Sequence, residues 1–304
     1  METYFSSGKL LLTGEYAVLD GALSLALPTV YGQQFTISKI SDPVIQWTSK
    51  NQDKTIWFED TIALENLKGI SEQPITGMTT SEILLQVLGM ARLLNPDFLS
   101  GTSGFSVLTQ LEFPRKWGLG TSSTLINNMA QWAGVDPYLL LEKTFGGSGY
   151  DIACAQNSSP LLYQLHAEQP RVTIVDFRPP FASSLFFVYL NRKQDSREAI
   201  KNYKNNAGNT EDLVTKITAL TKAIVGCTNL GQFESLLAAH ESLISRAVKM
   251  TTIKERLFPD YAGMIKSLGA WGGDFVLAVG EDAEQDYFRK KGYQTIIPYA
   301  DMIA

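Results

Sequence analysis

The sequence predicts an α+β protein of two domains, and three observations carry that prediction. At 304 residues the chain exceeds the size at which one hydrophobic core comfortably stops growing. Its N-terminal part is rich in short runs of β-branched and aromatic residues. Its second half sets long amphipathic helices among isolated strands.

The elements follow in order. QQFTISKI, VIQWTS and KTIWFED alternate in part and are separated by Asp, Pro, Asn and Lys, which suggests an antiparallel sheet. SEILLQVLGMARLLN (81–95) places Ile83, Leu84, Val87, Leu88, Ala91 and Leu94 on one helical face, with Thr80 or Ser81 as cap and Pro96 past its end. FSVLTQLEF (105–113) returns to alternation and Pro114 ends it. STLINNMAQWAG reads as a helix, Asp136-Pro137 as cap and first-turn proline of the next, and YLLLEKTF as its body, stopped by Gly146 and Gly147. VTIVDF (172–177) and LFFVYL (185–190) read as strands around a proline pair, so the domain boundary is expected near 178–184, with domains at 1–179 and 180–304. Two amphipathic helices follow, TEDLVTKITALTKAIVG and GQFESLLAAHESLISRAVKM. The strand DFVLAVG (274–280) and a last strand in QTIIPYA complete a smaller α+β unit.

Composition narrows the function. Hydrophobic residues make up 44% and charged residues 19%, ordinary for a globular chain. The balance of 26 Lys+Arg against 31 Asp+Glu gives −5, with no basic cluster dense enough for nucleic acid. Cys154 and Cys227 are too few for a disulfide framework, which fits a reduced, cytoplasmic setting. METYFSSGKLLLTGEYAVLDG carries Lys9 inside its apolar stretch and Glu15 soon after, so neither a signal peptide nor a membrane span is expected there, and no membrane partner. With only His166 and His240, a Ser-His-Asp or multi-histidine metal mechanism is nearly excluded, and His240 in LLAAHESLI reads as a helix-face residue.

Four places can carry chemistry. KWGLGTSST (116–124) sits on a strand-to-helix turn. Its glycines let backbone approach an oxygen, and Thr121, Ser122, Ser123 and Thr124 add hydroxyls that donate or ligate magnesium. The turn reads either as a phosphate cradle or as a tight, serine-capped corner. GGSGYDIA puts Asp151 where it caps a helix or stands at the rim of a cleft. In SSGKLLLTGEYAVLDG, Lys9 either snorkels from a strand end or points at a ligand. KSLGAWGGDF (266–275) is another glycine turn between a helix and a strand.

Together these stretches resemble the GHMP kinases, the family of galactokinase, homoserine kinase, mevalonate kinase and phosphomevalonate kinase. SSGKLLLTGEYAVLDG is similar to motif 1, P-G-K-x-x-L-x-G-E-H/Y-x-V-x-x-G. PRKWGLGTSST is similar to motif 2, P-x-x-x-G-L-G-S-S-A, with Pro114, Gly118, Leu119, Gly120 and Ser122 in register and Thr121 for the first serine. IKSLGAWGGDF resembles motif 3 at Lys266, Gly269, Ala270, Gly272 and Gly273, and SGYDIA resembles the S-G-x-D segment of the mevalonate-kinase-like, GYDIA-type branch.

The resemblance implies a ribosomal protein S5 domain 2-like N-terminal domain and a ferredoxin-like C-terminal domain, with ATP and substrate in the cleft between them. It implies an ATP- and Mg2+-dependent kinase acting on a small-molecule acceptor, a hydroxyl or phosphate of a small acid, with mevalonate and phosphomevalonate first. By the same resemblance, Pro114, Gly118, Leu119, Gly120, Thr121, Ser122 and Ser123 hold the nucleotide and Ser122 ligates magnesium. Asp151 is the base and Lys9 its charge partner, while Glu15, Tyr16, Ser148, Gly149, Gly272 and Gly273 line the substrate side. Glu142, nine residues before Asp151, stands nearest to the family's second magnesium ligand. Two residues of motif 3 depart from glycine, Trp271 and Asp274, and Ser7 replaces the motif-1 proline. The alternatives are a mevalonate diphosphate decarboxylase-like enzyme and a catalytically inactive ligand-binding member. The chain is expected as a monomer or homodimer.

Overall fold

Strands β1 (Glu2–Leu11), β2 (Ser24–Ile40), β3 (Val44–Lys50), β4 (Ile56–Ala63) and β5 (Gly104–Leu111) form from the β-branched and aromatic runs of the N-terminal part. The computed structural model describes residues 1–167, 169–192, 200, 203–204, 210–269, 271 and 273–304. The chain divides into two units assembled from separated stretches. Met1–Gly8, Tyr31–Arg115 and Leu119–Asn157 make the first; Lys9–Val30, Lys116–Gly118 and Ser158–Ala304 make the second.

In the first unit the strands run in the order β4-β3-β5-β2. Antiparallel pairing joins β3 to β4 and the C-terminal half of β2 to β5, whereas β3 and β5 are parallel. Against the sheet pack α1 (Thr80–Leu94), α2 (Thr121–Ala133), α3 (Pro137–Glu142) and α4 (Tyr150–Ala155). The shared core holds Phe35, Trp47 and Val107 from the strands and Leu84, Leu88, Ile126 and Met129 from the helices. The cap of α1 is Thr79, one residue earlier than the expected Thr80 or Ser81, because Glu82 reaches back from N3 to close a capping box. Asp136 caps α3 as expected, but that helix stops at Glu142, short of Phe145.

In the second unit the N-terminal half of β2 pairs antiparallel with β6 (Leu161–His166), and β6 with β7 (Gln169–Ile174). Strand β7 begins and ends earlier than VTIVDF suggested, since its register is set by pairing His166 with Gln169. A separate antiparallel sheet runs β11-β8-β10-β9, from β8 (Leu185–Tyr189), β9 (Ile265–Ser267), β10 (Phe275–Val279) and β11 (Ile296–Pro298). Helices α5 (Thr210–Val225), α6 (Leu230–Val248) and α7 (Ile253–Leu257) lie between β8 and β9, and α8 (Asp282–Lys290) between β10 and β11. This is the split β-α-β-β-α-β arrangement of a ferredoxin-like unit. Among the described residues no helix is long and apolar enough to cross a membrane.

Candidate active site

The strand-to-helix turn at 118–121 is built by two left-handed glycines, Gly118 with φ 69° and Gly120 with φ 93°. Gly120 is the N-cap of α2 and no side chain caps that helix, so the serine-cap alternative does not hold. Ser123 instead turns inward and donates its hydroxyl hydrogen to Gly120 O at 2.9 Å. The first-turn N–H groups are left facing outward, where the positive end of the helix dipole adds to them. Thr121 and the exposed Ser122 carry hydroxyls at this end. Pro114 is half-buried after β5, and Leu119 is fully buried and anchors the turn.

A polar stripe on the buried face of α2 fixes the direction of that terminus within the first unit. Thr124 donates to the Gln33 side-chain oxygen at 2.8 Å and Asn128 Nδ2 to Gln33 O at 2.9 Å. Asn127 Nδ2 reaches Ser6 Oγ at 2.9 Å and Ala155 O, the last residue of α4, at 3.3 Å. A change of any of these side chains to an apolar one leaves buried partners unsatisfied.

Beside the first turn of α2 lies a cavity of about 200 Å3, lined by Trp57, Phe58, Leu125, Arg115, Thr121 and Ser122 among others. The Arg115 guanidinium stacks over the Trp57 indole, 3.5 Å from the ring centroid. Neither residue was singled out as a site residue from the sequence. Arg115 stands inside motif 2 and its place was a usable signal; Trp57 reaches the cavity from β4 and nothing in its neighbourhood marked it.

Asp151 lies in the first turn of α4, whose N-cap is the left-handed Gly149 at φ 83°. It is therefore not the cap, and its Oδ1 accepts from Ile152 N–H at 3.1 Å. Ser148 is half-buried just ahead of it, and Glu142 is exposed at the end of α3. The Tyr138 hydroxyl is buried in this region; burial pushes its pKa up, with Cys154, Asp136 and Asp151 adding to the shift.

In the second unit Lys9, near the end of β1, donates from Nζ to Gly118 O at 2.8 Å. Glu15 and Tyr16 lie in the interior of this unit. Glu15 is fully buried in a closed cluster with Lys266 on β9 and with His240 and Glu241 on α6. Its Oε1 pairs with Lys266 Nζ, and Glu241 Oε1 stands 3.0 Å from the same ammonium. His240 Nε2 accepts from Gly14 N–H at 2.9 Å, which requires the neutral ring, and lies 3.5 Å from Glu15 Oε2. Burial raises the Glu15 pKa to about 7 against the opposing pull of Lys266. Burial and the Lys266 charge hold His240 well below its ordinary value. For Lys266 burial pulls the pKa down, but the two carboxylates outweigh it and leave the ammonium raised. The donor atoms of Glu15, His240 and Glu241 lie within 4.8 Å of one another, as in a metal site, yet Lys266 already supplies the cation there.

Tyr16 has φ 63° and stacks on Tyr203 with centroids 5.5 Å apart. The two departures in motif 3 keep glycine-like backbone, Trp271 at φ 58° and Asp274 at φ 55°. The Trp271 ring is buried with Tyr16, Ile217, Ile244 and Val248, and Lys266 Nζ stands 5.9 Å from its centroid. Gly273 is buried, and Gly272 lies outside the described residues.

Several solved structures have this fold over nearly the whole chain. A mevalonate kinase superposes with a TM-score of 0.71 at 16% identity, covering 98% of each chain. The phosphomevalonate kinase of Streptococcus pneumoniae, solved with phosphomevalonate and AMPPNP, gives 0.66 at 17% identity over 99% of this chain and 97% of that one. The galactokinase of Lactococcus lactis, solved with galactose, gives 0.63 at 16% identity over 95% and 88%. These are kinases of the kind that the sequence motifs resemble, and the α+β fold expected from that resemblance is the one observed. No protein-family profile matches the sequence. No curated protein matches it either.

Proposed function

We propose that the protein is an ATP-dependent small-molecule kinase that transfers the γ-phosphoryl group to a hydroxyl or phosphate of a small acid, with mevalonate and phosphomevalonate as the first acceptors to test. The observation that carries this reading is the cavity at the uncapped N-terminus of α2. At about 200 Å3 it is smaller than a site for a whole drug-sized ligand, usually 300 Å3 or more. It suits the base of a nucleotide stacked beside Trp57 and Arg115, with the phosphates continuing along the outward-facing N–H groups of 121–123.

Hard oxygen donors suit magnesium, and the exposed Ser122 hydroxyl at the helix terminus would hold it, with Glu142 as a second candidate. When bound, magnesium neutralises phosphate charge and leaves the nucleotide's phosphorus open to attack. Asp151 accepts the acceptor's hydroxyl proton as its oxygen bonds to the γ-phosphorus, and the bridging oxygen departs with ADP. Lys9 supplies the positive charge that stabilises the oxygens as negative charge builds.

The experiment is ATP consumption by purified protein with magnesium across a panel of hydroxylated and phosphorylated acids. Turnover of mevalonate or phosphomevalonate is expected. Turnover of a different acid alone overturns the substrate and keeps the kinase. Release of carbon dioxide from mevalonate diphosphate points to the decarboxylase, and calorimetry showing no Mg-ATP binding points to an inactive member.

A further inference from the structure

The cavity beside α2 belongs wholly to the first unit, and its sheet wall carries three polar side chains on one face. The register sets Ser49 of β3 opposite Thr109 of β5, and Thr109 opposite Phe35 of β2, two residues from Gln33. Gln33, Ser49 and Thr109 all line the cavity and all are buried. Buried polar groups are normally paired, so the direction of each hydrogen bond decides what is left for a ligand.

The acceptors of Gln33 and Ser49 are already taken. Ser49 Oγ accepts from Trp47 Nε1–H at 2.9 Å and from the Thr109 hydroxyl at 3.0 Å, which fills both of its lone pairs and leaves its own hydrogen. Gln33 Oε1 accepts from the Thr124 hydroxyl at 2.8 Å, which turns the amide nitrogen away from Thr124. The Gln33 main chain is fixed as well, because its carbonyl accepts from Asn128 Nδ2 at 2.9 Å. Among the described residues neither the Ser49 hydrogen nor Gln33 Nε2 is given to an acceptor. The Arg115 guanidinium at the same cavity adds further donors, and among the described residues no Asp or Glu lines it. What faces this wall must therefore bring acceptors. A 6-oxo purine presents two neighbouring acceptors, O6 and N7, whereas adenine carries an amino donor beside N7.

We propose that Gln33 and Ser49 are specificity-determining residues of the nucleotide site: their donor-only wall favours a purine edge that carries acceptors alone, so the phosphoryl donor is not restricted to ATP and a 6-oxo purine triphosphate binds more tightly. The inference rests on the nucleotide reading above. Calorimetry tests it with ATP and inosine triphosphate, each in excess magnesium, on the wild type, Gln33→Glu and Gln33→Met. The wild type is expected to bind inosine triphosphate about tenfold more tightly than ATP, since the adenine amino group leaves a buried donor unpaired. Gln33→Glu keeps an acceptor for Thr124 but sets a carboxylate oxygen where Nε2 stood, and should reverse the order to about tenfold in favour of ATP. Gln33→Met removes the donor without adding an acceptor and should narrow the ratio to within about threefold, which keeps the test open if Gln33→Glu fails to fold. A wild type that binds ATP as tightly as inosine triphosphate or more tightly, or variants that keep the wild-type ratio, overturns the inference alone and leaves Gln33 as a support for α2. A wild type that binds neither triphosphate overturns the nucleotide reading and the inference with it.

Discussion

Lys9 and Lys266 both belong to the second unit and both stand in stretches that resemble family motifs, yet they are set in opposite surroundings. Lys266 is fully buried between Glu15 and Glu241, with His240 and Trp271 closing the space around it. Lys9 is half-buried on the backbone of a glycine turn, with its Nζ on Gly118 O. A closed ion cluster spends its charge on other protein groups and acts on stability, whereas a charge on an accessible turn acts on whatever binds there.

The sharpest way to break the contrast is Lys266→Met, which strands two carboxylates in the interior. A loss of about 3–5 kcal/mol is expected by denaturant unfolding near pH 8, less at acid pH where Glu15 takes up a proton. Nucleotide affinity per folded molecule should be unchanged; a stability loss below about 1 kcal/mol would place the cluster with the working groups.

Lys9→Met and Asp151→Asn should do the reverse. Each is expected to lower kcat by about a hundredfold or more on any accepted substrate, with melting temperature nearly unaltered. Activity of Asp151→Asn within about tenfold of wild type would remove the residue from the role of base. Next in size, Trp57→Ala should weaken nucleotide binding by about tenfold or more through lost stacking. Equal affinities of variant and wild type in a fluorescence or calorimetric titration would take the base out of this cavity.

The smallest effect concerns pH. Glu15, raised from its ordinary 4.5 to about 7, holds its proton more tightly folded than unfolded. Its contribution to stability is full below pH 4.5 and is lost as pH rises to about 7. His240, held below 6.5, contributes above that pH and loses its contribution as pH falls. Between pH 4.5 and 6.5 the two slopes oppose. His240→Gln keeps an acceptor for Gly14 N–H but cannot titrate, so its stability should fall between pH 4.5 and 7 at up to about 1.4 kcal/mol per pH unit. A variant as flat as the wild type would show that Glu15 stays charged throughout.

What was legible in the sequence was local. Gly118 and Gly120 before a hydroxyl-rich helix start declare a turn that only glycine makes, and the alternation around Phe35 and Val107 declares strands. The caps at Thr79 and Gly149 were each missed by one or two residues, since a capping choice depends on which side chain reaches the orphan N–H groups. The stacked pair of Trp57 and Arg115 was hidden for a different reason: β4 and the turn after β5 meet only through the sheet.

Residue order alone therefore determined the α+β class and the glycine turns, because each follows from short-range geometry and side-chain chemistry. Tertiary structure decided which charges are spent inside the protein. Glu15 and Lys266 lie 251 positions apart in sequence and become an ion pair only when β9 and α6 close around the turn after β1. Burial then reverses the meaning of a charged side chain, since a group removed from water must be satisfied by its neighbours before it can serve a ligand.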